Sequence, residues 1–515
     1  MNKKYGVILI LAILMVHLFW GIGSIALLDP DEPVYAETAR EMIEYNDYLS
    51  PRIFNEYWYD KPPMYYWLVA GAQHIFGDNE FSARFPSALF GCLTLISMFL
   101  GVKKIFNNDV AYWSVIVLGS CIEFFYLAKA AVTDMTLLFF MTSAILAFLN
   151  KKYFLLYIFM GLGTLTKGPI GLVFPGAIIF LYMLVTSRWN LLKEMKLQYG
   201  ILIYALIAVP WNYLMYQVHG QIFIDTFFGF HNITRFTTAE HPTRVLWWYY
   251  IPVLLVGLFP WVGSFFSSLK ASITDSTSKD MKMLLFINVW WIFVFLFFSV
   301  AKTKLVSYIF PLFPPISILI AWNLVRLNGV YQNNKNTGLA ICEFVFFTLL
   351  TGVWFYLGYI MPNLFVATAI LGSLNFLLGL GVLIAYIKFK DINLVVKLHL
   401  VTGIITMVLA FSFILPVLED QLSVKKIADY YSRECNQTQS VYVDKFLRPG
   451  FMYYTHKPGI NFVPKTNELS SIINSDKKGY IIVRDLEIKN LNEKDQSKFK
   501  VFYAKNGIKI LKLRI

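Results

Sequence analysis

The stretch GVILILAILMVHLFWGIGSIALLDPDEPVYAE, residues 6–37, places four carboxylates directly after 23 residues that contain none. An apolar run of this length can cross a bilayer as a helix, whereas carboxylates near lipid are costly. The basic start and the SIA at 24–26 resemble a signal peptide with a weak cleavage site. Because the apolar run continues to Leu28, we predict an uncleaved first transmembrane helix.

The composition indicates a multi-pass membrane protein. Only 15% of the 515 residues are charged and 57% are hydrophobic, whereas soluble domains are about 25% charged. The net charge of +13 is spread over small groups of Lys and Arg between apolar runs, which argues against a nucleic-acid partner. The four cysteines lack CxxC or metal-type spacing, so no disulfide or zinc–cysteine site is predicted.

Apolar segments of about 20 residues predict thirteen transmembrane helices, near 6–28, 82–102, 109–127, 132–149, 153–166, 168–186, 199–217, 247–268, 283–301, 306–325, 338–360, 366–387 and 398–418. Short basic clusters such as Lys103–Lys104 and Lys151–Lys152 fall in the even-numbered gaps. The positive-inside rule therefore places the N-terminus and these gaps in the cytoplasm. The odd number of spans places the C-terminus outside.

This topology divides the chain into a transmembrane domain, 1–418, and a soluble extracytoplasmic domain, 419–515. The outer face receives the loops 29–81 and 218–246 and the short AKTK loop. The C-terminal domain combines a helical pattern, VKKIADYYSREC, with the strand-like runs SVYVDKF, GYIIVRDL, KVFYAK and IKILKLRI. We predict a small α/β fold for it.

The carboxylates of the first outer loop precede a predicted helix, VYAETAREMIEY, because Pro33 suits a first helical turn. Asp29, Asp31 and Glu32 could simply cap this helix, although capping needs only one of them. A weak apolar stripe that includes Ala36 suggests a helix lying along the membrane surface.

Two further acidic positions face the same side. Two prolines follow Asp60 and Lys61 and stiffen this segment, which lies among aromatic residues. Asp60 and Lys61 are either a chance ion pair in an aromatic belt or a binding site for phosphate or metal. Asp134 begins an apolar helix at an outer junction, where a capping role is the alternative. GLGTLTKGP at 161–169 lacks the ending of a P-loop and has no preceding strand, so helix packing and a turn explain it.

Cations also gather on this outer face, where the positive-inside rule expects few. They are His231, Arg235, His241, Arg244, Lys302 and Lys304. Snorkelling at the membrane rim would account for one or two of them, whereas a cluster favours an anionic ligand.

Several motifs, taken in order, resemble the GT-C glycosyltransferases that use polyprenyl-phosphate sugars, in the branch of protein O-mannosyltransferases and the lipid A aminoarabinose transferase. They are DPDEPVYAETAREM, YDKPPMYYWL, FSARFPSAL, VTDMTLLFF, LTKGPIGLVFPG, WWYYIPVLLVGLFPW and TKLVSYIFPLFPPI, within about residues 20–325. The resemblance implies an all-α polytopic GT-C fold in the cytoplasmic membrane of a bacterium.

The resemblance also implies site residues. Asp31, with Glu32 beside it, is similar to the catalytic carboxylate of the family, and Asp134 to its second acidic position. The implied ligands of the donor phosphate are Lys61, Arg84, Arg244, Lys302 and Lys304. A zinc ion is the implied cofactor, with Asp60 and His241 as ligands, although Asp60 stands where relatives often have the longer Glu.

The implied function is inverting transfer of a monosaccharide from undecaprenyl phosphate to a lipid, glycan or protein acceptor outside the membrane. Such a donor needs its leaving phosphate neutralised more than protonated, and a carboxylate can remove the proton of an attacking hydroxyl. The alternatives are a protein O-mannosyltransferase-like enzyme and a transporter or flippase of the lipid carrier. A flippase should carry charges at mid-membrane depth, whereas the sequence concentrates them at the outer rim.

Overall fold

The computed structural model describes residues 3–234, 246–274, 280–330, 337–463, 466–473, 479–489, 491, 493–505 and 507–513. Apolar helices make up most of this chain. Their bounds are Lys3–Phe19, Glu80–Ile105, Asn108–Gly119, Ile122–Ala128, Asp134–Leu149, Tyr153–Lys167, Ile170–Thr186, Leu197–His219, Tyr250–Gly257, Val262–Thr274, Met281–Val300, Phe313–Val330, Thr337–Ile360, Phe365–Ile384, Ile392–Leu409 and Leu415–Leu422. The prediction of an all-α membrane domain is confirmed.

The helices divide by length. Among the described residues seven are long and apolar enough to cross a membrane, or nine if two sharply bent pairs each count as one span. Four shorter apolar helices have 10–17 residues. Every predicted span overlaps one of these helices or bent pairs. The number of crossings stays a prediction, because length and composition alone do not place a helix in a bilayer.

Segments assigned to the same face contact one another. On the predicted outer side, His231 lies 2.6 Å from Asp60 and Lys167 lies 2.8 Å from Asp134. Contacts on the predicted inner side are Asn150–Gly101, Tyr157–Met195 and Asn393–Asn328. This segregation fits the predicted alternation of loops, whichever face is the outer one.

The first outer loop holds two helices, Asp31–Glu44 and Met64–Phe76, and a two-stranded hairpin, β1 (Arg52–Ile53) with β2 (Glu56–Tyr57). We call Asp31–Glu44 the loop helix; its prediction is confirmed, whereas the helix Met64–Phe76 was not predicted. A helix lying along the membrane surface, as the sequence suggests, would expose its polar face to water, and this expectation is wrong. Glu37 and Glu41 are 0% exposed and Arg40 is 6% exposed. The helix packs between Met64–Phe76 and the C-terminal domain.

The C-terminal domain contains a five-stranded sheet of order β4-β3-β5-β7-β6. Its strands are β3 (Ser440–Asp444), β4 (Ile460–Phe462), β5 (Gly479–Arg484), β6 (Phe499–Lys505) and β7 (Ile508–Leu513), and its longer helices are Lys425–Glu434, Arg448–Thr455 and Thr466–Ile473. The strands β4, β3 and β5 are parallel, and β7 and β6 complete the sheet antiparallel. Separate apolar clusters cover its two faces. The predicted α/β fold is confirmed, with β4 as the strand that the sequence missed.

Candidate active site

Asp31 lies in the first turn of the loop helix, and its side chain is accessible to solvent. Its carboxylate forms no hydrogen bond or ion pair with another described residue, and no side chain caps this helix. The surrounding protein removes part of the water around the Asp31 carboxyl and so raises its pKa, and the negative charges of Asp134 and Asp60 raise it further. A carboxylate with a raised pKa that is not held by neighbours is suited to accept a proton.

The Asp60 carboxylate is shared between a lysine and a histidine. Its Oδ1 lies 2.9 Å from Lys61 Nζ and 2.6 Å from His231 Nδ1. All three side chains are largely buried. The sequence identified His231 only as one of several outer cations, and the proximity to Asp60 is a property of the fold. His241, the predicted partner of Asp60, lies outside the described residues.

These residues do not complete a zinc site. A catalytic zinc ion keeps three protein ligands, whereas Asp60 and His231 are two, and the described part of the chain holds no cluster of three or more His, Cys, Asp or Glu residues that could bind a metal. The zinc ion implied by the resemblance therefore stays a prediction.

Asp134 pairs with Lys167, which is not among the predicted site residues. Lys167 Nζ lies 2.8 Å from Asp134 Oδ1, and both side chains are largely buried. Lys167 ends the helix Tyr153–Lys167, and Gly168 with φ +80° turns the chain at this point. The lysine also lies 5.5 Å from the ring centroid of Tyr308. The signal in the sequence was a lysine in the TKGP turn, on the face where cations are few.

Glu32 and Arg84 form a closed structural pair, which corrects two predicted roles. Arg84 donates from Nε and Nη2 to Glu32 at 2.8 and 2.6 Å, and its remaining donors bind the carbonyls of Ile22, Ile25 and Ala26. All five N–H groups of the guanidinium are thereby used. Arg84 is 1% exposed and has no donor left for a phosphate.

Glu32 is equally occupied. Besides Arg84, its two oxygens accept hydrogen bonds from the backbone N–H groups of Leu28 and Ala131, both at 2.8 Å. A carboxylate with about four acceptor positions is then saturated. Glu32 therefore fastens the first outer loop to the neighbouring spans, and its predicted catalytic role conflicts with this geometry.

The N–H donors of Lys304 are also used within the protein. Its ammonium donates to the carbonyls of Phe298, Ser299 and Ala301 at 3.1, 2.6 and 2.7 Å. These carbonyls close the helix Met281–Val300, where backbone acceptors have no partner within the helix. With three donors used and 1% exposure, Lys304 acts as a cap. Of the other predicted phosphate ligands, Lys302 is exposed and Arg244 lies outside the described residues.

Comparison with known proteins agrees with the resemblance. The family described as dolichyl-phosphate-mannose-protein mannosyltransferase matches residues 60–214. Across 99% of this chain and 98% of the other, the structure is similar to ArnT from Cupriavidus metallidurans bound to undecaprenyl phosphate, with a TM-score of 0.78 at 20% identity. This chain has the GT-C fold of ArnT. The predicted resemblance is confirmed.

Two proteins of similar sequence are described as arabinosyl transferases. An undecaprenyl phosphate-alpha-4-amino-4-deoxy-L-arabinose arabinosyl transferase of Wigglesworthia glossinidia brevipalpis is 32% identical over 64% of this chain and 60% of its own length. One of Edwardsiella ictaluri is 30% identical over 60% of this chain and 57% of its own length. The matched region thus spans about 60% of these relatives.

The GT-C fold extends to a more distant protein. The archaeal oligosaccharyltransferase AglB from Archaeoglobus fulgidus, solved with an inhibitory peptide and a dolichol-phosphate, has a TM-score of 0.55 at 12% identity. It covers 94% of this chain and 69% of its own. At these identities the likeness concerns the fold, and the chemistry must be argued from the site.

Proposed function

We propose that this protein transfers a monosaccharide from a polyprenyl phosphate to a cell-envelope acceptor at the outer face of a bacterial cytoplasmic membrane. The observation that carries the proposal is the accessible Asp31 carboxylate beside the Asp60–Lys61 and Asp134–Lys167 pairs, in a chain with the fold of ArnT. A site that combines a free base with cations is suited to transfer from a phosphate leaving group.

The proposed chemistry is a single displacement. Asp31 accepts the proton of an acceptor hydroxyl, and that oxygen attacks the anomeric carbon of the sugar. The bond between this carbon and the phosphate oxygen breaks, and polyprenyl phosphate leaves with the bonding electrons. The configuration at the anomeric carbon is thereby inverted. Lysine charge stabilises the developing phosphate dianion. If the acceptor is itself a phosphate, no proton needs to be removed and Asp31 positions the acceptor instead.

Lys61 is the described cation best suited to hold the phosphate. It lies close enough to Asp31 to lower the pKa of that carboxyl, against the larger opposing effect of burial. Its ammonium lies 2.9 Å from Asp60 Oδ1 and donates to the Asp60 carbonyl at 3.3 Å. A cation near the base would hold the leaving phosphate close to the attacking oxygen.

The proposal is tested in two steps. Mass spectrometry of polyprenyl-linked sugars from a deletion strain identifies the donor that accumulates. Purified protein in lipid nanodiscs is then given this donor and an envelope lipid fraction, and release of polyprenyl phosphate is followed together with acceptor mass. An unchanged pool of lipid-linked sugars together with no release of polyprenyl phosphate would contradict the proposal.

Transfer to a protein hydroxyl is the second candidate, favoured by the description of the family that matches residues 60–214. A hydroxyl acceptor needs a base, whereas a lipid phosphate does not. Glycoproteomic comparison of wild-type and deletion strains separates the two acceptors. Loss of glycopeptides supports protein transfer, and a mass change confined to envelope lipids supports the first acceptor class.

A further inference from the structure

Asp29 lies two residues before Asp31 and is buried against the C-terminal domain. Its Oδ2 accepts a hydrogen bond from the Val424 N–H at 2.9 Å, and its Oδ1 accepts one from the Gly450 N–H at 3.0 Å. Its own N–H donates to the Leu422 carbonyl at 2.8 Å. One residue of the first outer loop is therefore bonded to positions about 400 residues later in the chain.

The two donors lie at the beginnings of two helices. Val424 precedes the helix Lys425–Glu434, and Gly450 is in the first turn of the helix Arg448–Thr455. Neither helix has a side-chain cap of its own at the N-terminal cap position. The first N–H groups of a helix lack intrahelical partners and carry partial positive charge. The Asp29 side chain supplies both helices with the acceptor that they lack.

Gly450 leaves space for this carboxylate. A Cβ atom at position 450 would overlap both side-chain oxygens of Asp29. The contact therefore depends on a missing side chain in one domain and on a carboxylate in the other. A substitution at Gly450 can disturb the loop without changing any residue of the loop itself.

Further contacts fix the rest of the loop helix to the same domain. Arg40 Nη1 donates to the Tyr453 carbonyl at 3.1 Å and to His456 Nδ1 at 2.6 Å. At the far end of the loop, Glu80 accepts from Lys425 Nζ at 2.6 Å. Asp29 and Arg40 thus hold the loop helix near its two ends, and Glu80 holds the end of the outer loop.

We infer that the C-terminal domain is a positioning element of the active site, and that it acts through the Asp29 carboxylate held between the N-termini of Lys425–Glu434 and Arg448–Thr455. The inference rests on the proposed role of Asp31. Asp29 is a positioning residue and does not touch the reacting groups. Misplacing a base by about 1 Å can cost two orders of magnitude in rate, so a firmly held Asp29 keeps Asp31 productive.

The test compares Asp29→Asn and Gly450→Ala with two matched controls. Asp391→Asn changes an aspartate that caps a helix through Leu394 far from the loop, and Gly352→Ala adds a methyl group where no atom lies within 4 Å. Hydrogen exchange of peptides covering 29–44 and steady-state transfer are measured on the full chain. In both test variants we expect faster exchange of 29–44, a kcat at least about tenfold lower and a donor KM within about threefold, whereas the controls behave as wild type.

A double variant guards against general misfolding. If Gly450→Ala acts through Asp29, then adding it to Asp29→Ala has little further effect on either readout, because the clashing carboxylate is already gone. Additive losses would overturn the inference. Unchanged exchange of 29–44 in both single variants would overturn it whatever the activity, and faster exchange with normal kcat would overturn the positioning role. A wild-type chain that transfers no sugar overturns the proposed function and the positioning role with it, while the exchange data still decide whether Asp29 docks the loop.

Discussion

Among single residues, Asp31 differs from its acidic neighbours because it forms no hydrogen bond or ion pair with another described residue. Asp29 and Glu32 are fully engaged by backbone donors and Arg84, whereas Asp31 is free of other described side chains. We predict that Asp31→Asn lowers turnover on the order of 100-fold or more, because an amide cannot accept the proton. Stability should change by less than about 1 kcal/mol, since no capping bond is lost.

Transfer by purified Asp31→Asn and its thermal unfolding check this prediction together. Activity within a few-fold of wild type, in a protein that unfolds normally, would contradict a catalytic base. It would leave either a structural role or an acceptor that is already an anion.

The pH dependence of transfer should report on the same carboxyl. Burial, then Asp134 and Asp60, raise the pKa of Asp31, so the base form appears only above the ordinary range of an aspartate. We predict that kcat/KM rises with pH through this raised value. Asp60→Asn removes one negative neighbour and should move the rise to lower pH, whatever it does to the maximal rate. A rise that stays in place would mean that another group controls the rate.

The sequence shows which residue types are present, but it does not show whether their hydrogen-bond donors and acceptors are already used by other protein groups. The family resemblance implies Arg84 and Lys304 as phosphate ligands. Their donors are consumed by carbonyls and Glu32, which no local pattern reveals. The contacts of His231 and Lys167 with acidic residues were not predicted, because those acidic residues are distant in sequence.

At the scale of elements, Lys304 and Lys61 should behave in opposite ways. Lys304→Met leaves three carbonyls at the end of Met281–Val300 without donors, and each unsatisfied group costs about 1–3 kcal/mol. We predict a clear loss of stability with an unchanged donor KM in the folded fraction. Lys61→Met should raise the donor KM, whereas Asp60 keeps its contact with His231 and this limits the loss of stability. The reverse pattern in unfolding and donor titrations would restore Lys304 as a phosphate ligand.

A buried pair joins three helices near the predicted inner side. Glu343 Oε1 accepts from Ser264 Oγ at 2.7 Å and lies 3.3 Å from His399 Nε2, and all three residues are 0% exposed. Without Glu343 the buried Ser264 hydroxyl loses its acceptor, and an unsatisfied buried polar group costs about 1–3 kcal/mol. We predict that Glu343→Ala lowers the melting temperature while turnover per folded molecule is kept. Normal stability with lost turnover would instead point to a proton path within the membrane.

The apolar pattern of the sequence predicted well where the helices begin and end, but it did not predict what surrounds them. The loop helix was predicted from Pro33 and its acidic start, yet its polar face is buried by a domain that begins about 380 residues later. The helix Met64–Phe76 was hidden because its aromatic residues suit a membrane interface equally well. The short strand β4 has three residues and little pattern to detect.

At the scale of the whole molecule, the two-domain plan was predictable because hydropathy and charge change sharply near residue 419. The docking of the domains was not, since Asp29, Val424 and Gly450 carry no shared local signal. Long-range backbone hydrogen bonds to one carboxylate are set by the complete fold. The site is therefore best described as an outer loop that two domains hold between them.

The orientation of the molecule is the remaining whole-chain prediction. The outer segments contact each other, and the C-terminal domain binds the loop that carries Asp31. The positive-inside rule assigns this face to the outside, since the basic clusters lie on the opposite one. We predict that a reporter active only in the cytoplasm is inactive when fused after Ile515 and active when fused after Lys390, in the predicted inner gap. Activity at Ile515 would invert the topology and place Asp31 in the cytoplasm, where a donor presented at the outer leaflet cannot reach it.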